Sequence, residues 1–183
     1  MFWARSECGS IVLRSGRRWS ARKTMLVDGT KIAADMSDAL AGEVCALARA
    51  PTLAVVEVGS NAATGSFIER KKKFGEAIGV DVTLHHYPLD ITEEVLAADV
   101  SAIGRDRAVD GLIVQLPLPL EINADAVLEC IPPEKDVDAL SSAPRVLAPV
   151  AGAVAEILSR HRIDPRGKRA VVIGQGRLVG RPV

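Results

Sequence analysis

The 183-residue sequence predicts an α/β fold built on a parallel sheet with helices on both faces. Two observations favour this class. Short, near-continuous apolar runs are typical of parallel strands buried on both faces, and they alternate with longer segments whose apolar residues recur at helical spacing. Aromatic residues make up only 3% of the chain while aliphatic residues abound, as expected for aliphatic layers around such a sheet.

The individual elements follow from these two periodicities. The first helical segment ends before Pro51, which cannot continue a helix, and a turn at 59–61 ends the apolar run that follows. On the second helix, one apolar side is shared by Phe67, Phe74, Ala77 and Ile78. The predicted elements are helix 31–48, strand 53–58, helix 64–78, strand 80–87, helix 92–103, strand 110–114, a short helix near 123–130, helix 152–160 and strand 169–173.

Composition and charge argue against several classes of function. Lys plus Arg and Asp plus Glu both number 23, and this zero net charge gives no indication of a nucleic-acid partner. No apolar run approaches the roughly 20 residues that span a bilayer, so no membrane partner is predicted. Cys8, Cys45 and Cys130 lie far apart, which favours reduced thiols and a cytoplasmic location. The histidines have no metal-ligand spacing, so we predict no metal site.

The first 24 residues differ from the rest of the chain, because they are basic, rich in serine and hold both tryptophans. Such a segment is typical of a transit peptide, which would make the location mitochondrial. The alternative, which we favour, is a start codon assigned too early, with Met25 as the true start. Residues 1–24 are therefore left out of the fold prediction.

A few polar side chains are candidates for chemistry. Lys71 lies mid-helix beside two other lysines, so a solvated charge is the default interpretation. Gln115 follows a strand, and ligands of open parallel sheets gather at strand carboxyl ends. This amide either faces a ligand or ties down the proline turn behind it. Asp136 and Asp138 flank Val137 in a loop, where exposure to solvent is the default.

Gly174, Gly176 and Gly180 directly follow the last predicted strand. A strand that runs into such a turn is typical of the start of a Rossmann-type dinucleotide-binding domain, and these glycines are the predicted NAD(P) contacts. The sequence ends at Val183, before the helix that would follow the turn. We therefore predict only the opening of a nucleotide domain.

Four stretches, PTLAVVEVGSNAATGSFIERKKKFGEAIGV, DGLIVQLPLP, PPEKDVDAL and GKRAVVIGQGRLVGRPV, together resemble the bifunctional methylenetetrahydrofolate dehydrogenase/cyclohydrolase family. The resemblance covers about residues 25–183, and VQLPLP followed by KDVD is specific. It implies an extension over 1–24, a folate-binding catalytic domain over 25–148, and a truncated NAD(P)-binding domain over 149–183. The implied substrate site is a cleft between the two domains.

The resemblance also implies roles for single residues. Lys71 matches the family's proton-transfer lysine, and Gln115 matches the glutamine that hydrogen-bonds it. Asp138 matches the acid that grips the amino-pyrimidine edge of the pterin, where two N–H donors suit two carboxylate oxygens. Phe67 stands where tyrosine is usual, so it can stack on folate but offers no hydroxyl. Gly176 replaces a usual serine, and VLAPVAG replaces a usual Pro-Cys-Thr-Pro loop.

The implied activity belongs to one-carbon folate metabolism and purine biosynthesis. Methylenetetrahydrofolate is oxidised with NADP, or with NAD, and the methenyl product is hydrolysed to formyltetrahydrofolate; family members usually form homodimers. The alternative is a folate-binding fragment without dehydrogenase activity, which is expected if the chain truly ends at residue 183. A third possibility, a shikimate-type dehydrogenase, is disfavoured by QLPLP and KDVD in the family's spacing.

Overall fold

In the computed structural model, parallel strands form a sheet with helices on both faces, and the described residues are 26–59 and 62–183. The extension 1–24 and two residues of the predicted turn at 59–61 lie outside them. The predicted α/β class is confirmed. The elements are α1 (Gly29–Cys45), β1 (Thr52–Val58), α2 (Ala62–Ile78), β2 (Asp81–Tyr87), α3 (Glu93–Arg105), β3 (Gly111–Val114), α4 (Ala124–Leu128) and α5 (Pro149–Arg160).

The sheet has the strand order β2-β1-β3, with β1 in the centre and parallel to both neighbours. Because β1 is covered on both faces and both edges, every residue from 54 to 58 is buried. Each parallel crossover passes through a helix, α2 between β1 and β2 and α3 between β2 and β3. All three strands therefore direct their carboxyl ends to the same edge of the sheet.

The two faces of the sheet build separate hydrophobic cores. Successive β1 side chains alternate between faces, so Val56 lies on one face and Val55 and Glu57 on the other. On the second face Val55 packs with Ile113 of β3 and Ile68 of α2. Burying each such aliphatic side chain contributes about 1.5–3 kcal/mol. The first face packs on α3 and α4, and its buried residues include Leu96, Val100, Leu112, Val127 and Leu128.

The helix starts follow their capping residues. The Asp28 side chain accepts a hydrogen bond from the Lys31 backbone N–H at 3.0 Å, which satisfies one free donor at the start of α1. Thr92 caps α3 in the same way. Neither α1 nor α5 has a fully buried residue, and an ion pair of 3.0 Å between Arg160 and Asp35 joins them. None of the helices in the described part of the chain is long and apolar enough to cross a membrane.

The buried side of α2 differs from the apolar side predicted from the sequence. Phe67 and Phe74 are 54% and 46% exposed, whereas Ile68 is 2% exposed and Thr64 is 7% exposed. The side of α2 that packs on the sheet therefore runs through Thr64 and Ile68 and not through the two aromatic rings. Only Ile78 of the four predicted residues is buried, since Ala77 is exposed as well.

The predicted strand over 169–173 is not formed. These residues have no regular secondary structure, and Val171 and Ile173 are 85% and 96% exposed. A strand is stabilised by pairing with a neighbour, and no strand in residues 26–59 and 62–183 lies beside this segment. An apolar run alone was therefore insufficient evidence for a strand at this position.

Candidate functional site

Lys71 lies on the side of α2 that faces the sheet. The buried residues Thr64, Ile68 and Gly75 are separated by steps that place them on one stripe of the helix, and Lys71 falls on that stripe. Lys71 is partly buried, whereas Lys73 is exposed. The default interpretation of Lys71 as a fully solvated charge is therefore wrong.

Gln115 stands just beyond β3, where its amide group has two partners. Its backbone N–H donates to the Val56 carbonyl oxygen at 2.8 Å and extends the pairing of β3 with β1. Its side-chain Oε1 accepts a hydrogen bond from Lys71 Nζ at 3.0 Å, and its Nε2 donates to the Leu116 carbonyl oxygen at 3.0 Å. The predicted Lys71–Gln115 hydrogen bond is confirmed, and the amide also ties down the proline turn.

Asp136 is buried and serves as the anchor of its loop. It is 2% exposed, and its carboxylate accepts hydrogen bonds from the Leu140 N–H at 3.2 Å, the Ser141 N–H at 2.8 Å and the Ser141 hydroxyl at 2.6 Å. Its backbone forms an isolated parallel bridge with Leu112 of β3. The default of solvent exposure is wrong for this residue, because the loop folds around it.

Asp138 lies near Lys71 and is only partly exposed. Burial raises the pKa of the Asp138 carboxyl above its ordinary value of 3.8, the positive charge of Lys71 opposes that rise, and the negative charge of Asp136 adds to it. The opposing effect of Lys71 shows that the amine and the carboxyl are electrostatically coupled. The amine, the amide and the carboxyl singled out in the sequence thus lie together at the carboxyl edge.

The backbone directly after Asp138 is strained. Ala139 has a φ of 54°, which is left-handed and costs an L-residue with a Cβ roughly 1–2 kcal/mol. The hydrogen bonds that Asp136 accepts from residues 140 and 141 hold the chain in this conformation. The strained turn therefore fixes where the Asp138 side chain leaves the loop.

Phe67 lies one helical turn before Lys71 and is 54% exposed. An exposed aromatic ring at this distance along the helix from the amine can stack on a flat ligand. Its role as the folate-stacking ring stays a prediction.

The predicted cofactor glycines form a turn without the flanking elements of a dinucleotide site. Gly174 has a φ of 109°, and a Cβ at Gly180 would collide with the Gly174 carbonyl oxygen. Residues 169–173 form no strand, and residues 177–182 form turns rather than a helix. Dinucleotide phosphates are held by N–H groups at a helix start. Among the described residues, 169–182 thus lack the strand and the helix that flank such a site, and the role of Gly174, Gly176 and Gly180 stays a prediction.

No metal centre is formed by the residues that the structure describes, because no three His, Cys, Asp or Glu side chains gather there. Cys45 and Cys130 are free thiols. Cys130 donates to the Ala126 carbonyl oxygen at 3.4 Å, which is a contact local to α4.

Glu57, a buried acid within β1, is not among the residues predicted from the sequence. Glu57 is 5% exposed, and its Oε2 lies 3.2 Å from Nδ1 of His86, its register partner on β2. The available signal was a charged residue inside the apolar run LAVVEV. A charge in such a run is uncommon unless it is paired.

The fold and the site together define a class of protein: an α/β domain whose polar side chains gather at the carboxyl edge of a parallel sheet, with a lysine amine held by an amide. A family model described as tetrahydrofolate dehydrogenase/cyclohydrolase, catalytic domain, matches residues 27–138. The chain belongs to this family.

Curated relatives and solved structures agree with this assignment. The chain is 36% identical over 173 residues to the bifunctional protein FolD of Anaeromyxobacter dehalogenans, a match that covers 86% of this chain and 61% of the relative. It is similar to the crystal structure of the bifunctional enzyme FolD from Campylobacter jejuni, with a TM-score of 0.82, 32% identity, and coverage of 86% of this chain and 61% of that one.

A third similar structure is the methylenetetrahydrofolate dehydrogenase-cyclohydrolase of Trypanosoma brucei, complexed with NADP cofactor and inhibitor. Its TM-score is 0.79 at 30% identity, with 86% of this chain and 59% of that chain covered. The chain thus spans about three fifths of the length of the relatives it matches.

Proposed function

We propose that this chain binds a reduced folate at the carboxyl edge of the sheet and catalyses the hydrolysis of methenyltetrahydrofolate in one-carbon metabolism. The observation that carries the proposal is the 3.0 Å hydrogen bond between Lys71 Nζ and Gln115 Oε1, which holds an amine at the edge where ligands of parallel sheets bind. Relatives of the chain are named as bifunctional dehydrogenase/cyclohydrolase enzymes, which supports this reaction class.

The proposed hydrolysis uses Lys71 as the base. The oxygen of a water molecule bonds to the methenyl carbon of the cationic substrate, and the amine of Lys71 takes a proton from that water. The hydroxyl proton of this adduct then moves to the leaving ring nitrogen as the C–N bond breaks, which leaves a formyl group on the other nitrogen of the folate. Gln115 accepts a hydrogen bond from Lys71 throughout, so it positions the amine without itself gaining or losing a proton.

The proposed folate grip uses Asp138 and Phe67. The carboxylate oxygens of Asp138 would accept hydrogen bonds from the amino-pyrimidine edge of the pterin, and Phe67 would stack on its ring. Because burial raises the pKa of Asp138 in the free protein, N–H donors from the substrate would stabilise the carboxylate that burial disfavours. Substrate binding and ionisation of Asp138 are therefore coupled.

The dehydrogenase half of the family's reaction needs a nucleotide cofactor, NADP or, as the alternative, NAD, which would accept hydride from the methylene carbon. The predicted contacts Gly174, Gly176 and Gly180 lack a paired strand before them and a helix after them among the described residues. We therefore assign no oxidation step to residues 169–183. We also propose that the chain forms a homodimer and lies in the cytoplasm. Its product would supply one-carbon units to purine biosynthesis.

A direct assay tests this function. The purified 183-residue chain is mixed with methenyltetrahydrofolate and hydrolysis is followed by absorbance, and in parallel with methylenetetrahydrofolate and NADP. We expect hydrolysis without NADP reduction. Robust NADP reduction would contradict the proposal that residues 169–183 support no oxidation step. Tight folate binding without hydrolysis would favour the second candidate function, that of a folate-binding protein. The absence of a hydroxyl group at Phe67 supports this candidate.

A further inference from the structure

Glu57 is a buried acid that the mechanism above does not use. It is 5% exposed, and its Oε1 is buried and has no hydrogen-bond partner among the described residues. Its Oε2 lies 3.2 Å from Nδ1 of His86. Buried carboxyl oxygens in native proteins are almost always paired. An orphaned oxygen therefore requires a function or an exchangeable partner.

The place of Glu57 in the sheet brings it next to the proposed catalytic pair. Val56 of β1 pairs with Val114 of β3. The hydrogen bond from the Gln115 N–H to the Val56 carbonyl oxygen extends this pairing by one residue beyond β3. Glu57 and Gln115 are thus neighbours on adjacent strands, about 4.8 Å apart along the hydrogen-bonding direction. Both lie on the face covered by α2, the helix that carries Lys71.

His86 connects this buried acid with solvent. Its side chain is 50% exposed, whereas that of Glu57 is 7% exposed. An imidazole can accept a proton at one ring nitrogen and release one from the other. Glu57 therefore has one oxygen bonded to a solvent-exposed imidazole and one oxygen free on the side of the sheet where Lys71 lies.

We infer that Glu57 and His86 form the path by which the proton released at Lys71 reaches solvent, an inference that rests on the proposed hydrolysis. Water and the methenyl cation yield a formyl group and one proton, which Lys71 holds as an ammonium. The Lys71 side chain, which is bonded to Gln115 in this structure, moves toward Glu57 on the same face of the sheet and returns to the amine by giving its proton to that carboxylate. After the carboxyl group rotates, the proton passes to Nδ1 of His86, and the imidazole releases a proton to solvent from Nε2. Glu57 acts through Lys71 and does not contact the substrate.

Kinetics test the path. We expect Glu57→Gln to lower kcat for hydrolysis about tenfold with little change in KM, because binding is untouched and return of the amine is slowed. His86→Ala should lose kcat similarly and regain it when imidazole is added to the buffer. His85 lies on the opposite face of β2, so His85→Ala is the matched control. It should keep the wild-type kcat, with or without added imidazole. Unchanged kcat in Glu57→Gln, or no imidazole rescue of His86→Ala, would overturn the inference.

A measurement without turnover separates this inference from the proposed function. The chain has three histidines, so their ring-nitrogen NMR signals are assignable by substitution. We expect Lys71→Met to shift the His86 ring signals in the wild-type background and to leave them unchanged in the Glu57→Gln background. If Lys71→Met leaves the His86 ring signals unchanged in both backgrounds, the proposed path is wrong, whatever the rate of hydrolysis. If the coupling is present but wild type does not hydrolyse substrate, the proposed function fails and the connection stands.

Discussion

The carboxyl groups at the two edges of the sheet differ in how fully they are paired and in the direction of their pKa shifts. At the amino edge, Arg49 donates to both oxygens of Asp110 at 2.7 and 2.6 Å, and the Thr52 N–H donates to the same carboxylate at 2.9 Å. The Arg49 guanidinium holds the pKa of Asp110 below its ordinary value. At the carboxyl edge, burial raises the pKa of Asp138, and one oxygen of Glu57 has no described partner.

This difference separates structural charges from candidate functional ones. A carboxylate whose partners lie within the chain is stabilised in its ionised form, and it has little to gain from a ligand. A carboxyl that is buried without enough partners gains hydrogen bonds when a ligand supplies donors, and groups with such perturbed pKa values concentrate at functional sites. Substitutions at the two edges should therefore have opposite profiles, one affecting stability alone and the other activity.

The largest effect is expected for Lys71→Met. Removal of the amine takes away the base of the proposed hydrolysis, and general-base catalysis is worth about 10²–10⁴-fold. Turnover of methenyltetrahydrofolate should fall by that factor, while the circular dichroism spectrum and Tm stay close to wild type. Lys73→Met, on the exposed side of the same helix, is the matched control and should retain full activity. Normal hydrolysis by Lys71→Met would remove this residue from the site.

The next effect is expected for Asp138→Asn. Loss of charge-assisted hydrogen bonds, each worth about 1.5–3 kcal/mol, should weaken folate binding roughly 10- to 100-fold in calorimetry. The same substitution should raise Tm at neutral pH by about 2 °C, because it removes a carboxylate that burial disfavours. Since the folded-state pKa lies above the ordinary 3.8, this gain appears as the pH rises through the raised pKa and vanishes below 3.8.

Asp136→Asn is the contrasting variant for that experiment. Its carboxylate holds the loop through hydrogen bonds from Leu140 and Ser141, so it should lower Tm where Asp138→Asn raises it. A fall in Tm for both variants would show that Asp138 is also a structural anchor.

A smaller effect is expected at the amino edge for Asp110→Asn. The ion pair with Arg49 is largely exposed and screened by solvent, so we expect Tm to fall by about 2 °C or less, with hydrolysis unchanged. Because the pKa of Asp110 is lowered in the fold, its contribution is present above 3.8 and is lost as the pH falls through the depressed value. A change in kcat would contradict the separation of the two edges.

The smallest effect is expected for Ala139→Gly. Glycine adopts the φ of 54° without strain, and this relief exceeds the extra chain entropy of glycine by a few tenths of a kcal/mol. Urea denaturation should therefore show a slightly raised midpoint. A clear loss of stability would mean that the alanine methyl group makes contacts worth more than the strain.

The elements of the sheet could be predicted because their signals are local. The apolar run at 53–58 predicted β1 to within one residue of Thr52–Val58, and the run at 110–114 predicted β3 equally well. The run at 169–173 carried the same signal and was wrong, because strand formation also needs a partner that local sequence does not reveal. The prediction of the buried side of α2 failed for a related reason, since the side of a helix that faces the sheet is set by tertiary packing, which residue spacing alone does not show.

The site could be predicted only in part. The Lys71–Gln115 hydrogen bond joins residues 44 positions apart, and only the family resemblance suggested it. The resemblance also singled out Asp138 over Asp136, and the structure separates these acids in the same way, one as a loop anchor and one near the amine. Glu57 was missed although it is a charge inside an apolar run, because the run shows neither the burial of the side chain nor its unpaired oxygen.

The bridge between Leu112 and Asp136 has a consequence for solubility. The Leu112 N–H donates to the Lys135 carbonyl oxygen at 2.8 Å, so the loop lies along the outer edge of β3. An uncovered edge strand offers free backbone groups on which another chain can add as a further strand, the first event of many aggregation reactions. The segment that carries Asp138 therefore also covers the outer edge of β3, and a loosened loop would expose that edge to pairing with a second molecule.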